Sequence, residues 1–387
     1  MTTRLARYMA PTGLLLLLAA GCMDPEQYWH RSQPGQEHYR AGSALLRQGR
    51  LDAAKVELTE AIKANPNLPE AHACLGDVHR KQKQYALARD SYVRACELNP
   101  YAFRPHYNLG VTYQLMAAQA ALVDQAADLI RQAIHVYLRA TTISPDDYEA
   151  NLNLSACYHQ LGRDEQAEQH CRKALTIRPN SAAGWCNLGI ICDSQGKSSE
   201  AVLAFNKSLE FDTNQPRVLL SLGACHKRTD SPTRLKAALH AFQLALRIDP
   251  NLAEAYEQIG LVHFETGDNV EAMKAFEKAI ALDPDSSVAH RGKGAVLMLR
   301  HIADPTDLSA REQALASWTL SLEIDPDQPK LAELVARYKA APPPPAPVSP
   351  AAAVPSPAPV ILPPASQPRP APVTTAPASG PAATQPR

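Results

Sequence analysis

The chain has 387 residues, with 39 basic and 39 acidic side chains and a formal net charge of zero. That balance excludes a general electrostatic attraction to nucleic acid, while 45% hydrophobic residues are enough to bury an extended core. About half of the 33 prolines fall after residue 340, so one end differs in kind from the rest.

Arg4 and Arg7 precede an apolar run from Gly13 to Ala20. About eight apolar residues cover only ~12 Å as helix, too little for a bilayer core of ~30 Å. The run therefore predicts a secretion signal and not a spanning helix. Leu18-Ala19-Ala20-Gly21-Cys22 sets small residues before a cysteine. This resembles the lipobox of bacterial lipoproteins, with Ala19 standing where that family often has leucine. The resemblance implies that residues 1–21 are removed and that Cys22 is lipidated. It also implies an envelope protein facing the periplasm, and Met23-Asp24 leans toward the outer membrane. An ordinary secretory signal, or an uncleaved anchor with Cys22 incidental, is the alternative. Residues 22–34 read as a polar tether.

From residue 35 the chain is periodic. Gly42, Gly76, Gly110, Ser155, Gly189, Gly223, Gly260 and Gly294 recur at roughly 34 residues, with gaps of about 45, 37 and 42 at three insertions. Ala54, Ala88, Ala133, Ala167, Ala201, Ala238, Ala272 and Ala314 keep the same phase. So do the closing prolines Pro66, Pro100, Pro145, Pro179, Pro250, Pro284 and Pro326. The clearest unit, residues 253–286, reads as two amphipathic helices broken at Gly267-Asp268 and stopped at Asp283-Pro284, because proline disfavours helix at the residue before it. Such a hairpin cannot bury its own apolar face and must stack on neighbours.

The units run near 35–68, 69–102, 103–147, 148–181, 182–215, 216–252, 253–286 and 287–328. The third carries MAAQAALVDQAADLI without a breaker, which predicts two lengthened helices turning near Asp124. The sixth gains residues around Asp230-Ser231-Pro232, with Ser231 as cap. The eighth gains Ala303-Asp304-Pro305, and its second helix is predicted to restart at a Ser309–Glu312 capping box. Residues 329–340 place Leu331, Leu334, Val335 and Tyr338 on one face, a capping helix. Residues 341–387 hold almost no charge and too little apolar surface to fold, so they read as a disordered Pro/Ala-rich tail.

A helical hairpin of this period with this pattern resembles the tetratricopeptide repeat. The resemblance implies an all-α, right-handed solenoid of about eight hairpins. It also implies a concave groove lined by the first helix of each repeat, with protein or peptide as ligand.

No HExxH, GxxxxGK[ST], GxSxG or GxGxxG motif stands in a fitting context, so no enzyme, no cofactor, no metal and no small-molecule substrate are expected. His38, His72, His106 and His290 share one repeat position and His79, His226 and His263 another, which predicts half-buried packing imidazoles. Cys74, Cys96, Cys157, Cys171, Cys186, Cys192 and Cys225 include no CxxC, and they fit as small buried hydrophobes or as a pair among adjacent repeats. Asn108 in YNLG, Asn153 in LNLS and Asn187 in CNLG share one position. An amide donates and accepts, so a row of them suits an extended peptide backbone. Arg104, Arg217, Lys227 and Arg228 are candidate carboxylate partners, and Tyr107, Leu152 and Ile190 candidate apolar contacts. The expected function is a lipid-anchored, non-enzymatic protein-binding scaffold. The alternative is an envelope-assembly factor, similar to lipoproteins that pilot secretins or support pilus and cell-wall machinery.

Overall fold

A computed structural model describes residues 35–228 and 232–340. The signal, Cys22, the tether, the Ser231 cap and the tail lie outside the described residues. The described residues form seventeen helices and no strand, in two compact units that divide between His170 and Cys171.

The first unit pairs α1 (Gln36–Arg47) with α2 (Leu51–Ala64), α3 (Pro69–Lys81) with α4 (Tyr85–Leu98), and α5 (Phe103–Gln119) with α6 (Val123–Ile143). It continues through α7 (Tyr148–Gln160) into α8 (Asp164–Ile177), within which the division falls. The second unit pairs α9 (Ala182–Ser194) with α10 (Ser198–Phe211), and α11 (Pro216–Lys227) with α12 (Pro232–Ile248). It then pairs α13 (Ala253–Glu265) with α14 (Asn269–Leu282), and α15 (Ser287–Ala303) with α16 (Leu308–Ile324), before α17 (Pro329–Lys339). From α1 to α7, and again from α9 to α17, each helix packs on its successor. Within each unit, from α1 to α7 and from α9 to α15, odd-numbered helices also touch the next odd-numbered helix, as in α3 with α5 or α13 with α15, so they form its inner layer.

The glycines set how closely a hairpin closes. A Cβ added at Gly260 would stand 2.7 Å from the Phe276 ring, closer than real carbon atoms approach. The same contact pairs Gly42 with Leu58, Gly76 with Tyr92, Gly110 with Tyr137, Gly189 with Phe205, Gly223 with Phe242 and Gly294 with Trp318. The large partner is always on the second helix and has no exposed surface. Phe276 is held from a second side, since a Cβ at Gly292 would also strike its ring. In the fourth hairpin, where Ser155 replaces glycine, the sequence position that holds these large residues is Cys171, the smallest of the series.

Two kinds of turn alternate. Inside a hairpin the chain reverses through one left-handed residue: Gly49, Gly162, Gly196, Gly267 and, without glycine, Lys83 at φ 59°. Between hairpins, Asn or Asp before the proline folds its side chain over the turn. Asn65 accepts from the Asn67 N–H at 3.1 Å, Asp249 from Asn251 at 3.0 Å and Asp283 from Asp285 at 3.1 Å. The proline carbonyl is then met by a side chain six residues on. His72 Nε2 donates to Pro66, Asn151 Nδ2 to Pro145, Trp185 Nε1 to Pro179 and His290 Nε2 to Pro284, at 2.7–3.0 Å. His72 and His290 are thus turn staples as well as packing groups, because the chain reversal leaves the proline carbonyl outside the helix ladder and a side-chain N–H completes it.

The third hairpin has α5 of 17 and α6 of 21 residues, against 13 and 14 in α13 and α14. Its reversal lies at residues 120–122, and Asp124 sits in the first turn of α6. The eighth hairpin differs from expectation at α16. Asp307 and not Ser309 caps it, accepting the Ala310 N–H at 2.9 Å, since aspartate caps as well as serine. Leu331 and Val335 of α17 are buried against a cluster that includes Met298 and Trp318.

Helix propensity alone favours Gly260→Ala by ~1 kcal/mol. The Phe276 contact outweighs this, and overpacking of this kind costs ~1–3 kcal/mol. The variant is expected to melt lower, with Phe276→Leu in the same chain recovering part of the loss. Lys83→Gly is expected to melt higher, because left-handed backbone costs a non-glycine residue ~1–2 kcal/mol, more than glycine's entropy penalty.

Candidate functional site: the inner layer of the hairpins

In the first unit α3, α5 and α7 bring a connected polar set together. Asp77 on α3 accepts from the Tyr92 hydroxyl at 2.6 Å and from Asn108 Nδ2 at 3.0 Å. Arg80 Nε donates to the same Tyr92 hydroxyl at 3.3 Å, and its guanidinium lies 3.6 Å from Asp77. Burial, and next the Asp77 carboxylate, hold the Tyr92 phenol well above its usual range. Asn153 on α7 donates to the Tyr107 hydroxyl at 3.2 Å, and the Tyr107 ring stacks on Phe103 at 5.8 Å. Leu152 is buried beside Asn153, whereas Arg104 is exposed and forms no salt bridge among the described residues.

The expected row of open amides is therefore altered. Asn108 keeps some surface, while Asn153 has none and is bonded to the neighbouring hairpin. In the second unit Asn187 has no exposed surface either, and Ile190 is buried. The reason is positional. Two residues before the small residue of the inner helix, a side chain in these hairpins enters the wall, and an amide there must be satisfied within the protein.

The cationic candidates of the second unit are mostly paired. Lys227 lies 3.2 Å from Glu265, and Arg228 pairs with Asp193, which also accepts from the Cys225 thiol at 3.0 Å. Arg217 is half-exposed, with Glu254 3.9 Å away.

Sequence reasoning missed a buried charged set on α13 and α15. Glu257 and Arg291 occupy the same repeat position in adjacent hairpins, three residues before Gly260 and Gly294. Both are buried. Glu257 accepts from the Ser286 hydroxyl, and Arg291 Nη1 donates to Gln328 Oε1 at 2.9 Å. Burial raises the Glu257 pKa, opposed by the Ser286 bond, and burial lowers that of Arg291, opposed by Asp325 and Glu257. The available signal was the phase itself, since that column holds Tyr107, Leu152, Cys186 and Leu220 in earlier repeats.

Five of the thiols, Cys74, Cys96, Cys157, Cys186 and Cys225, are held protonated at neutral pH by burial. Burial pushes Cys74, Cys96, Cys186 and Cys225 up to about 12, so none of these four is an activated nucleophile. No disulfide joins the seven thiols of the described residues. Several imidazoles also have structural partners. His79 bonds Gln84 at 2.9 Å and His159 bonds Asp164 at 2.7 Å, each locking the end of an inner helix to the start of its outer partner.

The Glu257 shift has a definite sign. With its pKa raised in the folded state, the native chain binds this proton more tightly than the unfolded chain. Its contribution is present below the unfolded value of about 4.3 and is lost as pH rises through the folded value. Glu257→Gln, which keeps an acceptor for Ser286, is expected to flatten the fall in unfolding midpoint above that pH. An identical pH profile in wild type and variant would refute this.

Three family models match the chain in turn. One tetratricopeptide-repeat model matches residues 42–83 and 76–116, and a second matches residues 117–182. The model of the cytochrome c-type biogenesis protein H TPR domain matches residues 170–289. Superkiller complex protein 3 of Mus musculus is 25% identical over 302 residues, covering 74% of this chain and 17% of that protein. The type IV pilus assembly protein PilF of Pseudomonas aeruginosa is 29% identical over 136 residues, covering 35% of this chain and 53% of PilF. The chain thus spans under a fifth of the first relative and about half of the second. The solved APC/C hetero-tetramer Cut9–Hcn1 matches with a TM-score of 0.51 at 16% identity, over 77% of this chain and 54% of that chain, a likeness of fold. Residues 42–289 of this chain are tetratricopeptide repeats.

Proposed function

We propose that the chain is a non-enzymatic protein–protein interaction scaffold, anchored in the bacterial envelope by lipid on Cys22 and facing the periplasm from the outer membrane. An extended protein segment is its ligand, received along the inner layer of odd-numbered helices within a unit. The repeat array carries this reading. Hairpins that must stack leave one helix of each facing inward, and each contributes a differently lined ledge. Arg104, with no carboxylate partner among the described residues, and the half-exposed Arg217 are the cations available to the ligand. Asn108 offers an accessible amide, and Tyr107, Leu152, Asn153, Asn187 and Ile190 shape the wall behind. Lys227 and Arg228 contribute once their carboxylate partners yield.

Acyl chains on Cys22 contribute ~0.8 kcal/mol per buried CH2, and several chains together hold a protein at a membrane. A second reading is an envelope-assembly factor. It is favoured by the likeness to PilF over 136 residues and by the lengthened α5–α6 hairpin.

Labelled palmitate fed to cells is expected to mark the wild-type chain and not Cys22→Ser. Crosslinking in intact cells is then compared between wild type, Arg104→Glu with Arg217→Glu, and a deletion of residues 116–126. The scaffold reading expects the charge reversals to reduce partner capture at least tenfold with helix content unchanged. The assembly reading expects loss with the deletion alone. A purified chain with turnover abolished by one side-chain change would overturn both.

A further inference from the structure

At Pro66, Pro145, Pro179 and Pro284 the side chain six residues on meets the proline carbonyl. His106 stands six residues after Pro100, but it does not reach back. Arg139 Nη2 on α6 donates to the Pro100 carbonyl in its place, at 3.3 Å. The His106 ring turns its Nδ1 to the Ala102 carbonyl at 2.8 Å. A carbonyl only accepts, so Nδ1 carries the proton and Nε2 presents a lone pair in the neutral ring. No hydrogen bond among the described residues reaches that Nε2.

His106 forms part of the wall of a cavity of about 520 Å³ between α4, α5 and α6, inside the first unit. The imidazole is only 7% exposed. Val93, Leu109, Val136 and Leu138 give the cavity apolar sides, and Cys96 adds a thiol held protonated by burial. Most other polar groups of the wall are committed. Glu97 pairs with Arg94 at 3.1 Å, and the Thr142 hydroxyl donates to the Leu138 carbonyl at 2.8 Å. Arg139 is engaged by Pro100 and by the Tyr101 ring, whose centroid lies 5.5 Å from its guanidinium carbon. His135 is exposed, so solvent reaches it. His106 Nε2 is therefore the acceptor that a ligand finds. Gln114 Nε2 and Arg291 Nη2 also lack partners, but both atoms are sealed from solvent and can meet no ligand.

These features select a ligand by its chemistry. Apolar sides call for an apolar body, and an acceptor in a mostly buried ring calls for a donor at its tip, because drying it unpaired is costly. A cation is a poor occupant, since the carboxylate in the wall is already paired and a buried lone charge is unfavourable. Serine and threonine have the donor without the body. Tyrosine has both: a ring that buries roughly 150–250 Å² and a hydroxyl at its far end, placed to reach a deep acceptor. Beside the cavity Tyr101 is 78% and Leu138 39% exposed, apolar surface on which the residues flanking such a tyrosine can rest.

We propose that this cavity is a docking pocket for a tyrosine side chain of a partner protein, whose hydroxyl donates to His106 Nε2. It is a second binding surface, on the side of the outer helices α4 and α6 and separate from the ledges of the inner layer. The choice of a protein as the source rests on the scaffold reading, whereas the chemistry of the pocket does not.

The test is ligand-detected NMR with the purified full chain. Its probes are N-acetyl-tyrosinamide and N-acetyl-phenylalaninamide, which differ by one hydroxyl. The tyrosine probe is expected to bind at least tenfold more tightly. His106→Phe keeps a ring in the wall and removes the acceptor, so that preference is expected to vanish while the phenylalanine probe binds as before. Val93→Trp, which fills the cavity from α4, is expected to abolish binding of both probes. Melting midpoints taken alongside separate a lost pocket from a lost fold. Equal affinity of the two probes for wild type, or binding unchanged in Val93→Trp, would overturn the pocket. Tighter binding of p-cresol than of the tyrosine probe would overturn the protein source alone.

Discussion

A single steric contact underlies the array: a large side chain of the outer helix seated on a residue without a side chain in the inner helix. Seven of the eight hairpins pair glycine with Leu, Tyr, Phe or Trp in this way. Core packing tolerates little excess volume, so the missing Cβ and the large ring set the helix separation together. The fourth hairpin has the opposite combination in its sequence, Ser155 with Cys171 at the corresponding outer position. Once the spacing is set, the small residues Ala54, Ala88, Ala133, Ala201, Ala238, Ala272 and Ala314 are left with no exposed surface.

Hydrogen bonding closes what packing brings together. The sharp stop before each proline leaves helix-end carbonyls that need donors. The Asx turn folds over one side, and His72, Asn151, Trp185 or His290 reaches back to the proline carbonyl from the next helix. These donors differ chemically but share one sequence offset, six residues after the proline whose carbonyl they meet. At Ser208 and Ser321 a hydroxyl replaces the usual alanine and donates at 2.8 Å to the start of the inner helix of the same hairpin. The local rule is that a carbonyl left outside the helix ladder finds a side-chain donor, and residue identity varies within it.

The inner layer is where this regularity is put to varied use. In the first unit it carries aromatic and amide groups joined through Asp77 and Tyr107. In the second it carries paired cations and the buried Glu257 and Arg291. Opposite charges inside a wall are costly to desolvate and are held by neutral partners, Ser286 and Gln328. The functional reading accordingly rests on the groups that keep some surface, Arg104, Asn108 and Arg217, more than on the buried ones.

The amino-acid sequence by itself determined the helices, their pairing and their count. Gly260, Ala272, Asp283 and Pro284 announce a hairpin through short-range physics: backbone freedom, missing donors and the 3.6-residue period. Repetition of that pattern made the assignment robust, and even the lengthened third hairpin was legible from its unbroken apolar run. Only the tertiary structure decided which of the candidate side chains keep exposed surface. Asn153 and Asn187 look alike in the sequence, but neither keeps exposed surface, and Tyr107 of the preceding hairpin claims the Asn153 amide. The same holds for the orphan donor of Gln114 and for Glu257 beside Arg291. Burial and hydrogen-bond partnership depend on atoms from other repeats, tens of residues away, and no local pattern encodes that distance.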